Sequence, residues 1–557
     1  MEKATSIELC TIYKVEPSDL VLQWMTFSLS NLGGLDPTVQ RLCDMERKEL
    51  ANKKDKVHPS SAKSRKSRVS NSNPLAIYGV ASTSTNADEV EDDIMGSYVC
   101  RTPKAPKTAL ARTPALLFLK LIVCNKKMLK MPRNKIATIN NPKFIIYSKD
   151  CGVVAGTKHS CQIAHENEVM NPKSKYMFDS LLEKSLILGD RLFANGKEIC
   201  KKVFGENNLD YDLEDVNEIS KVPTKTMGMI CCDFDGKLDP ASTILLGADE
   251  SRCLTARLNF SNTKSFGIFP GQTVMVSGVN PKGDTIFVEE VLAERILTPP
   301  GPPKITNEVK FVVAAGPYTH NDDLVYDPLH DLISYCKDNK PDVLIMTGPF
   351  MEADHSLIVG NVLAETFESF FEKMLVGIVE AIGEETTICM ISSFKDAVSC
   401  MVYPTHPITT NKTYPNVRML PDPCVIDVNG ILIGITSTDV VDHLLTEELS
   451  VNCGDKVKRV VNYLFHQGSF YPLSPPPLDM YLDSTLANKF ARLDSVPNIM
   501  ILPSTQKNFI RDVNGCLAIN PGKLTDKTGG TFARFVVYPS KEETIPFNYM
   551  ACQIMKV

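Results

Sequence analysis

The sequence predicts an α/β domain joined to a small β-barrel, with a helical N-terminal domain and a long linker in front of them. Three observations carry this. Between residues 226 and 293, five short apolar stretches are separated by turns bearing glycine or proline, the pattern of a small barrel. Beyond residue 308, strands apolar on both faces alternate with helices, as buried strands of a layered sheet must. Between 51 and 174 the chain turns basic and rich in Ser and Asn, and part of it cannot bury enough apolar surface to offset chain entropy.

The 557 residues, 43% hydrophobic and 23% charged, suffice for three or four such units. Sixty Lys+Arg against 66 Asp+Glu leave a net charge of -6, which argues against a surface that grips nucleic acid all over. The 17 cysteines contain no C-x-x-C pair, so neither a zinc ribbon nor a thioredoxin-type site is expected. Glu2 and Glu8 interrupt the start where a secretory signal would be apolar, so reduced, intracellular thiols are expected. The longest apolar run, 115–124, is half the length needed to span a bilayer and contains Lys120, so no membrane span is expected.

Residues 1–50 read as short helices. Ser18 and Asp19 cap a segment holding Leu20, Val21, Trp24 and Phe27, and Asp36-Pro37 starts another with Val39, Leu42 and Leu50 on one face. A small bundle and a docking site for a partner's peptide are both compatible with this pattern. Residues 51–174 form the expected linker. Its basic run from Lys53 to Arg68 suits a solvated tether, a nuclear-localisation signal or a phosphate-binding arm. Thr102-Pro103 and Thr113-Pro114, among Arg101, Lys104, Lys107 and Arg112, make Thr102 and Thr113 candidate phosphorylation sites for a proline-directed kinase. The apolar island 115–124 lies in a stretch with ten basic residues and no acid, and no role is assigned to it.

The third unit, 175–298, begins with Leu181, Leu188, Leu192, Ile199 and Val203 at helical spacing, a helix or broken pair of helices ending near Phe204. Five strands follow at 227–232, 242–246, 253–260, 272–279 and 285–291. An oligonucleotide-binding (OB) type of barrel is expected. Its strands offer few groups for stacking or pairing with a nucleic acid, chiefly Phe260, Arg257 and Phe287, so packing or protein docking is preferred to strand binding.

The Pro299 to Pro303 break leads into the last unit, 308–557. Strands are expected at 309–315, 343–346, 387–391, 426–435, 498–502, 516–519 and 531–538, with helices at 327–338 and 361–382. Catalytic groups of such a domain stand on loops at the carboxyl ends of strands. Those loops carry Gly316-Pro317, Gly348-Pro349 with Glu352, Ser392-Ser393 with Asp396, and Pro503-Ser504. Their order resembles the calcineurin-like metallophosphoesterase fold, whose active members place D-x-H, G-D-x-x-D, G-N-H-D/E and G-H-x-H at these strand ends to hold two metal ions. Here Pro317, Pro349, Ser393 and Ser504 stand among the positions where that resemblance places ligands. Proline offers no ligand atom, and Glu352 and Asp396 alone cannot assemble a dinuclear site. His320, His330, His355, His406, His443 and His466 are scattered with no metal-binding spacing.

The whole plan resembles the B subunits of the DNA polymerase alpha–primase complex. The most specific segments are Phe269-Pro270-Gly271-Gln272, Gly316-Pro317-Tyr318-Thr319, Thr347-Gly348-Pro349-Phe350, Gly434-Ile435-Thr436-Ser437-Thr438-Asp439, Phe470-Tyr471-Pro472-Leu473 and Ile519-Asn520-Pro521-Gly522. The resemblance implies a nuclear, non-catalytic scaffold with an inactivated phosphoesterase fold, no catalytic residue, no cofactor and no metal. It implies that barrel and α/β domain form one body that binds the C-terminal, zinc-bearing region of the polymerase catalytic subunit. Primase subunits would be reached through the complex, other replication factors through the N-terminal domain, and DNA mostly indirectly, in support of replication initiation and lagging-strand priming. The alternatives are the equivalent accessory protein of another replicative polymerase, a phosphoesterase or nuclease with displaced ligands, and a single-strand binder acting through the barrel.

Overall fold

A computed structural model describes residue 24 and residues 163–165, 170–171, 173–206, 211–234, 236–247, 254–526, 529–539 and 549–557. The chain divides into two compact units, Met1–Lys107 and Thr108–Val557. In the first, Trp24 is helical and buried. The remaining expectations for residues 1–50, the island 115–124, Thr102 and Thr113 lie outside the described residues.

In the second unit β1 (Ile163–His165) precedes α1 (Leu181–Phe204). Segment 51–174, expected as linker throughout, therefore contains ordered structure: β1 is an edge strand paired antiparallel to residues 426–428, and Met170 is fully buried. A three-residue edge strand is held by its backbone bonds and leaves no alternation to read. α1 is one unbroken helix, started by a capping box in which Ser180 Oγ accepts from Glu183 N and the Glu183 carboxylate accepts from Ser180 N.

The barrel consists of β2 (Ser220–Cys232), β3 (Thr243–Gly247), β4 (Thr255–Asn259), β6 (Thr273–Asn280) and β7 (Thr285–Leu292), closed in the order β2-β3-β4-β7-β6. β4 and β7 run parallel and the other pairs antiparallel, as in a five-stranded Greek-key barrel of the OB type. Ile230, Leu245, Leu258, Val274, Val276 and Val288 fill it. Leu192, Ile199 and Cys200 of α1 pack outside, on Met227, Met229 and Met275. The short β5 (Phe266–Ile268), between β4 and β6, stands apart from the barrel.

The α/β domain begins with β8 (Val309–Ala315), α2 (Asp327–Asn339), β9 (Val343–Thr347), α3 (Ser356–Val359), α4 (Phe367–Ile382), β10 (Thr387–Ile391) and β11 (Val417–Leu420). It continues with β12 (Cys424–Val428), β13 (Ile431–Ile435), α5 (Val440–Glu447), β14 (Leu449–Val451), α6 (Lys456–Gln467) and α7 (Ser484–Phe490). β15 (Ile499–Ile501), β16 (Phe509–Val513), β17 (Cys516–Asn520), β18 (Thr531–Val537) and β19 (Met550–Lys556) complete it. Two six-stranded mixed sheets result, β11-β10-β9-β8-β18-β19 and β1-β12-β13-β15-β17-β16. Phe311, Val313, Ile345 and Ile391 of one meet Ile426, Ile433, Ile501 and Ile519 of the other. α2 and α4 cover the outside of the first sheet through Leu329, Leu332, Phe371 and Met374, and α5 and α6 cover the second through Val441, Leu444, Val460 and Leu464. The domain is a four-layer α/β/β/α sandwich.

The single strand expected at 426–435 is a hairpin. Asn429 (φ 54) and Gly430 (φ 85) turn the chain between β12 and β13, and Asn514 (φ 53) and Gly515 (φ 80) do the same between β16 and β17. Both central residues are left-handed, which Asn-Gly permits at least cost.

Barrel and α/β domain form one body, and two of the segments singled out in the sequence form its seam. Phe269 leaves the barrel side and enters the α/β core beside Tyr463 and Phe470, its ring 4.9 Å from that of Tyr463. Pro270 O accepts from Ser474 N, and Gly271, at φ +84, lies so close to Ser474 that a Cβ would sit 2.7 Å from the serine Cβ. The Gln467 amide receives Thr273 N at 2.9 Å and donates to Thr273 O at 3.0 Å, replacing a strand partner. β5 pairs with β14, backed by a largely buried pair in which Arg459 donates to both Glu448 carboxylate oxygens.

Candidate functional site

Strands β8 to β11 run parallel, as do β13, β15 and β17, and the loops at their carboxyl ends carry the positions singled out in the sequence. After β8 and β9 the Gly316-Pro317 and Gly348-Pro349 bonds are cis. The two loops lie against each other: a Cβ on Gly316 would meet Pro349 O at 2.1 Å, and one on Gly348 would meet Asp396 Oδ2 at 2.5 Å and Ser393 Cβ at 2.7 Å. Pro349, Ser392, Ser393, Pro503 and Ser504 are buried, Pro317 and Glu352 half-buried. Ser392 Oγ donates to Thr405 O and Leu420 O, and Ser504 N donates to Asn520 Oδ1. Tyr318 fills the space beneath, stacked on Phe350 at 5.4 Å and donating to Ala314 O and Thr347 O. Of the expected positions, Gly316, Gly348-Pro349 and Ser393 come together with Asp396, while Ser504 is tied to Asn520 at the end of β17.

Glu352 and Asp396 are brought together by a short antiparallel bridge. Asp396 is fully buried; its Oδ1 accepts from Phe350 N and Met351 N, both at 2.7 Å, and its Oδ2 has no hydrogen-bond partner. Burial pushes its carboxyl up to about 8, against the pull of the two amides, with Glu352 adding to the rise. Asp396 is therefore protonated in the fold at pH values where the unfolded chain has released the proton. Stability is expected to fall as pH rises from about 4 to about 8 and to level off above, with a contribution of at most about 1.4 kcal/mol per pH unit from this group. Urea unfolding of wild type and Asp396→Asn across that range checks this, since the variant should lack the slope and an identical pH dependence would refute it.

Asp422, which the sequence pattern does not single out, is another fully buried carboxylate. Its Oδ1 accepts from Thr436 Oγ1 and Ser437 N, and its Oδ2 from Ser437 Oγ and Thr438 Oγ1, at 2.6–2.9 Å. Burial raises its pKa and the four donors oppose that rise. The Thr436-Ser437-Thr438 run after a buried strand was a readable source of these donors. Among the described residues no three His, Cys, Asp or Glu side chains are grouped so as to hold a metal ion. The histidines are spread: His355 Nε2 lies 2.8 Å from His320 O, His443 Nδ1 2.9 Å from Tyr471 Oη, and His466 Nδ1 accepts from Arg295 N.

Of the barrel residues considered for strand binding, Phe287 is half-buried on β7. Phe260 is buried, stacked on Phe266 at 4.2 Å, and Arg257 pairs with Asp233. Open apolar surface lies instead on α1. Leu182, Leu186, Phe193 and Cys200 follow at intervals of four and seven, one face of a helix. Cys200 is covered by the barrel, while Leu181, Leu182 and Leu186 are 86%, 70% and 54% exposed and Phe178 just ahead is 78% exposed. The N-terminal half of α1 contacts α7 of the α/β domain and leaves this face bare among the described residues. No described helix is long and apolar enough to cross a membrane.

An OB-type barrel joined to an α/β/β/α sandwich within one compact unit defines a class of two-domain proteins. Residues 311–511 match the family of DNA polymerase alpha/epsilon B subunits, residues 190–294 the OB domain of the DNA polymerase alpha B subunits, and residues 4–53 the N-terminal family of the same B subunits. The DNA polymerase alpha B subunit of Drosophila melanogaster is 41% identical over 99% of this chain and 96% of its own length. Its counterpart in Mus musculus is 28% identical over 95% and 91%, and that of Schizosaccharomyces pombe 30% over 66% and 68%. The chain belongs to the family of DNA polymerase alpha B subunits, the accessory subunits of that polymerase. A solved archaeal phosphodiesterase aligns at 11% identity and a TM-score of 0.23 over 45% of this chain and all of that one, too slight a likeness to argue from.

Proposed function

We propose that the chain is a non-catalytic scaffold of the polymerase alpha–primase complex, built on an inactivated metallophosphoesterase fold. The observation that supports this is the tight apposition of the strand-end loops, where a Cβ on Gly316 or Gly348 would meet Pro349 O, Asp396 or Ser393, together with Pro349, Ser393 and Pro503-Ser504 at positions where the resemblance places ligands. Two-metal hydrolysis needs several carboxylates and imidazoles converging on one open site. Here Asp396 is buried under backbone amides and Glu352 is its one acidic neighbour in the bridge.

The partner is the catalytic subunit, through its C-terminal zinc-bearing region, with the primase subunits joined through the complex. The bare face of α1 and the two-domain body suit such a role. The N-terminal domain would dock further replication factors, Thr102 and Thr113 would be phosphorylated in the linker, the site of action would be the nucleus, and DNA would be met mainly through the complex. The test of the inactive fold is direct. Purified chain, loaded with Mn2+ and offered bis(p-nitrophenyl) phosphate, should show no metal-dependent hydrolysis and no stoichiometric metal uptake; about two bound ions with turnover would overturn the reading.

A further inference from the structure

Where α1, the connector 295–298, the end of α6, residues 471–474 and α7 meet, a cleft of about 710 Å³ opens on the seam. Three guanidinium groups line it, those of Arg191, Arg295 and Arg492, the last of them paired with Asp494. Arg191 donates to Pro472 O and forms no salt bridge with any described carboxylate; desolvation lowers its pKa with no acid opposing it. Arg295 donates through its backbone to His466 Nδ1 and through its side chain to Leu493 O, and it too lacks a salt bridge among the described residues. Of the acids on the rim, Glu198 pairs with Lys201 and Asp494 with Arg492 while both also attract Arg295, and Asp190 is exposed. The lining is mostly polar, with the apolar residues Ile187, Leu297, Leu473 and Val496 set between the polar groups, and Ile296 is 48% exposed. Arg191 is half-buried, and a guanidinium with a single carbonyl acceptor among the described residues has further donors matched to the fork of a carboxylate.

We infer that this cleft is a binding site for an acidic side chain, Asp or Glu, carried between apolar residues on a peptide segment of a partner, with Arg191 as its counter-ion. A nucleic acid phosphate shares the anionic chemistry, but three rim acids, Asp190, Glu198 and Asp494, set among Arg191, Lys197, Arg295 and Arg492, disfavour a continuous polyanion. On the function proposed above, on which this inference rests for its partner, the segment belongs to the polymerase catalytic subunit. The occupant would touch α1, the barrel's exit and the α/β domain at once, and so would clamp the seam.

The experiment measures binding of the purified full chain to the catalytic subunit, for wild type, Arg191→Met, Arg191→Lys and Ala194→Trp. Arg191→Met keeps the side chain's bulk without its charge, and Ala194→Trp blocks the cleft from an exposed position while leaving Arg191 untouched. Both should weaken binding roughly thirtyfold or more, because truncating one member of a buried charge pair costs about 2 kcal/mol and upward. Arg191→Lys should fall between, and none should shift the chain's own unfolding midpoint as far as its binding. If wild type binds and Arg191→Met and Ala194→Trp bind equally well, the cleft assignment is wrong and the scaffold reading stands. If wild type fails to bind, both fall. Loss of affinity for a single-stranded oligonucleotide in Arg191→Met, with protein binding intact, overturns the assignment in favour of a phosphate site.

Discussion

Replacing Phe269 by alanine is expected to cost about 3–5 kcal/mol and to split one cooperative unfolding transition into two. The magnitude is that of truncating a fully buried aromatic ring, lost transfer energy and residual cavity together. The splitting follows from position. Phe269 arises between β5 and β6 yet its ring is part of the α/β core, packed on Tyr463 beneath α6. Its neighbours cannot collapse into the gap without moving the barrel, because Gly271 already touches Ser474 and Gln467 already spans Thr273. With the ring gone, the polar links to Gln467 and the Arg459–Glu448 pair hold the seam without an apolar centre. Differential scanning calorimetry checks the outcome, and a single transition at the wild-type midpoint would show that the two domains do not depend on this ring.

Asp422→Ala is expected to destabilise by about 3–5 kcal/mol, the range for breaking a buried ionic or charge-assisted network by removing its centre. Three donors are hydroxyls and one is the Ser437 amide, all satisfied by one carboxylate. Hydroxyls reorient, but the amide cannot, and Asp422 also pairs through its backbone with Thr405. Asp422→Asn should cost less, because its carbonyl oxygen keeps two of the acceptor contacts while its amide faces donors. Urea unfolding at fixed pH orders the three proteins; equal stability of wild type and alanine variant would mean that water replaces the carboxylate without penalty. The result bears on function, since the network ties together the loops after β11 and β13, on the same strand ends as the closed sites.

Much of the fold was legible because buried strands leave no choice of face. β8 and β10 run over the residues expected, 309–315 and 387–391, since runs such as Phe311-Val312-Val313-Ala314-Ala315 suit only a strand covered on both sides. The five barrel strands were legible from the turns between them. α6 was missed although Val457, Val460, Val461, Leu464 and Phe465 keep helical spacing between Asp455 as N-cap and Gly468 at φ +59. β19 and the β5–β14 pair were missed because three-residue strands and a terminal strand take their reason from distant partners, here residues 449–451 against 266–268. Of the site, the absence of ligand types at Pro349, Ser393 and Pro503 was readable from residue identity. The buried carboxyl of Asp396, the network on Asp422 and the cleft at Arg191 were not, because each gathers residues far apart in the chain. Phe260 was assigned outward and lies inward, since β4 ends there and the chain turns in to stack it on Phe266.

On the function proposed above, this chain works by holding a polymerase together. The tagged chain, purified from proliferating cells and its retained partners quantified by mass spectrometry, tests that most directly. The account predicts the polymerase alpha catalytic subunit and both primase subunits in near-equal amounts. Recovery with another replicative polymerase would contradict the assignment, and a chain that returns alone carrying bound metal would contradict the scaffold itself.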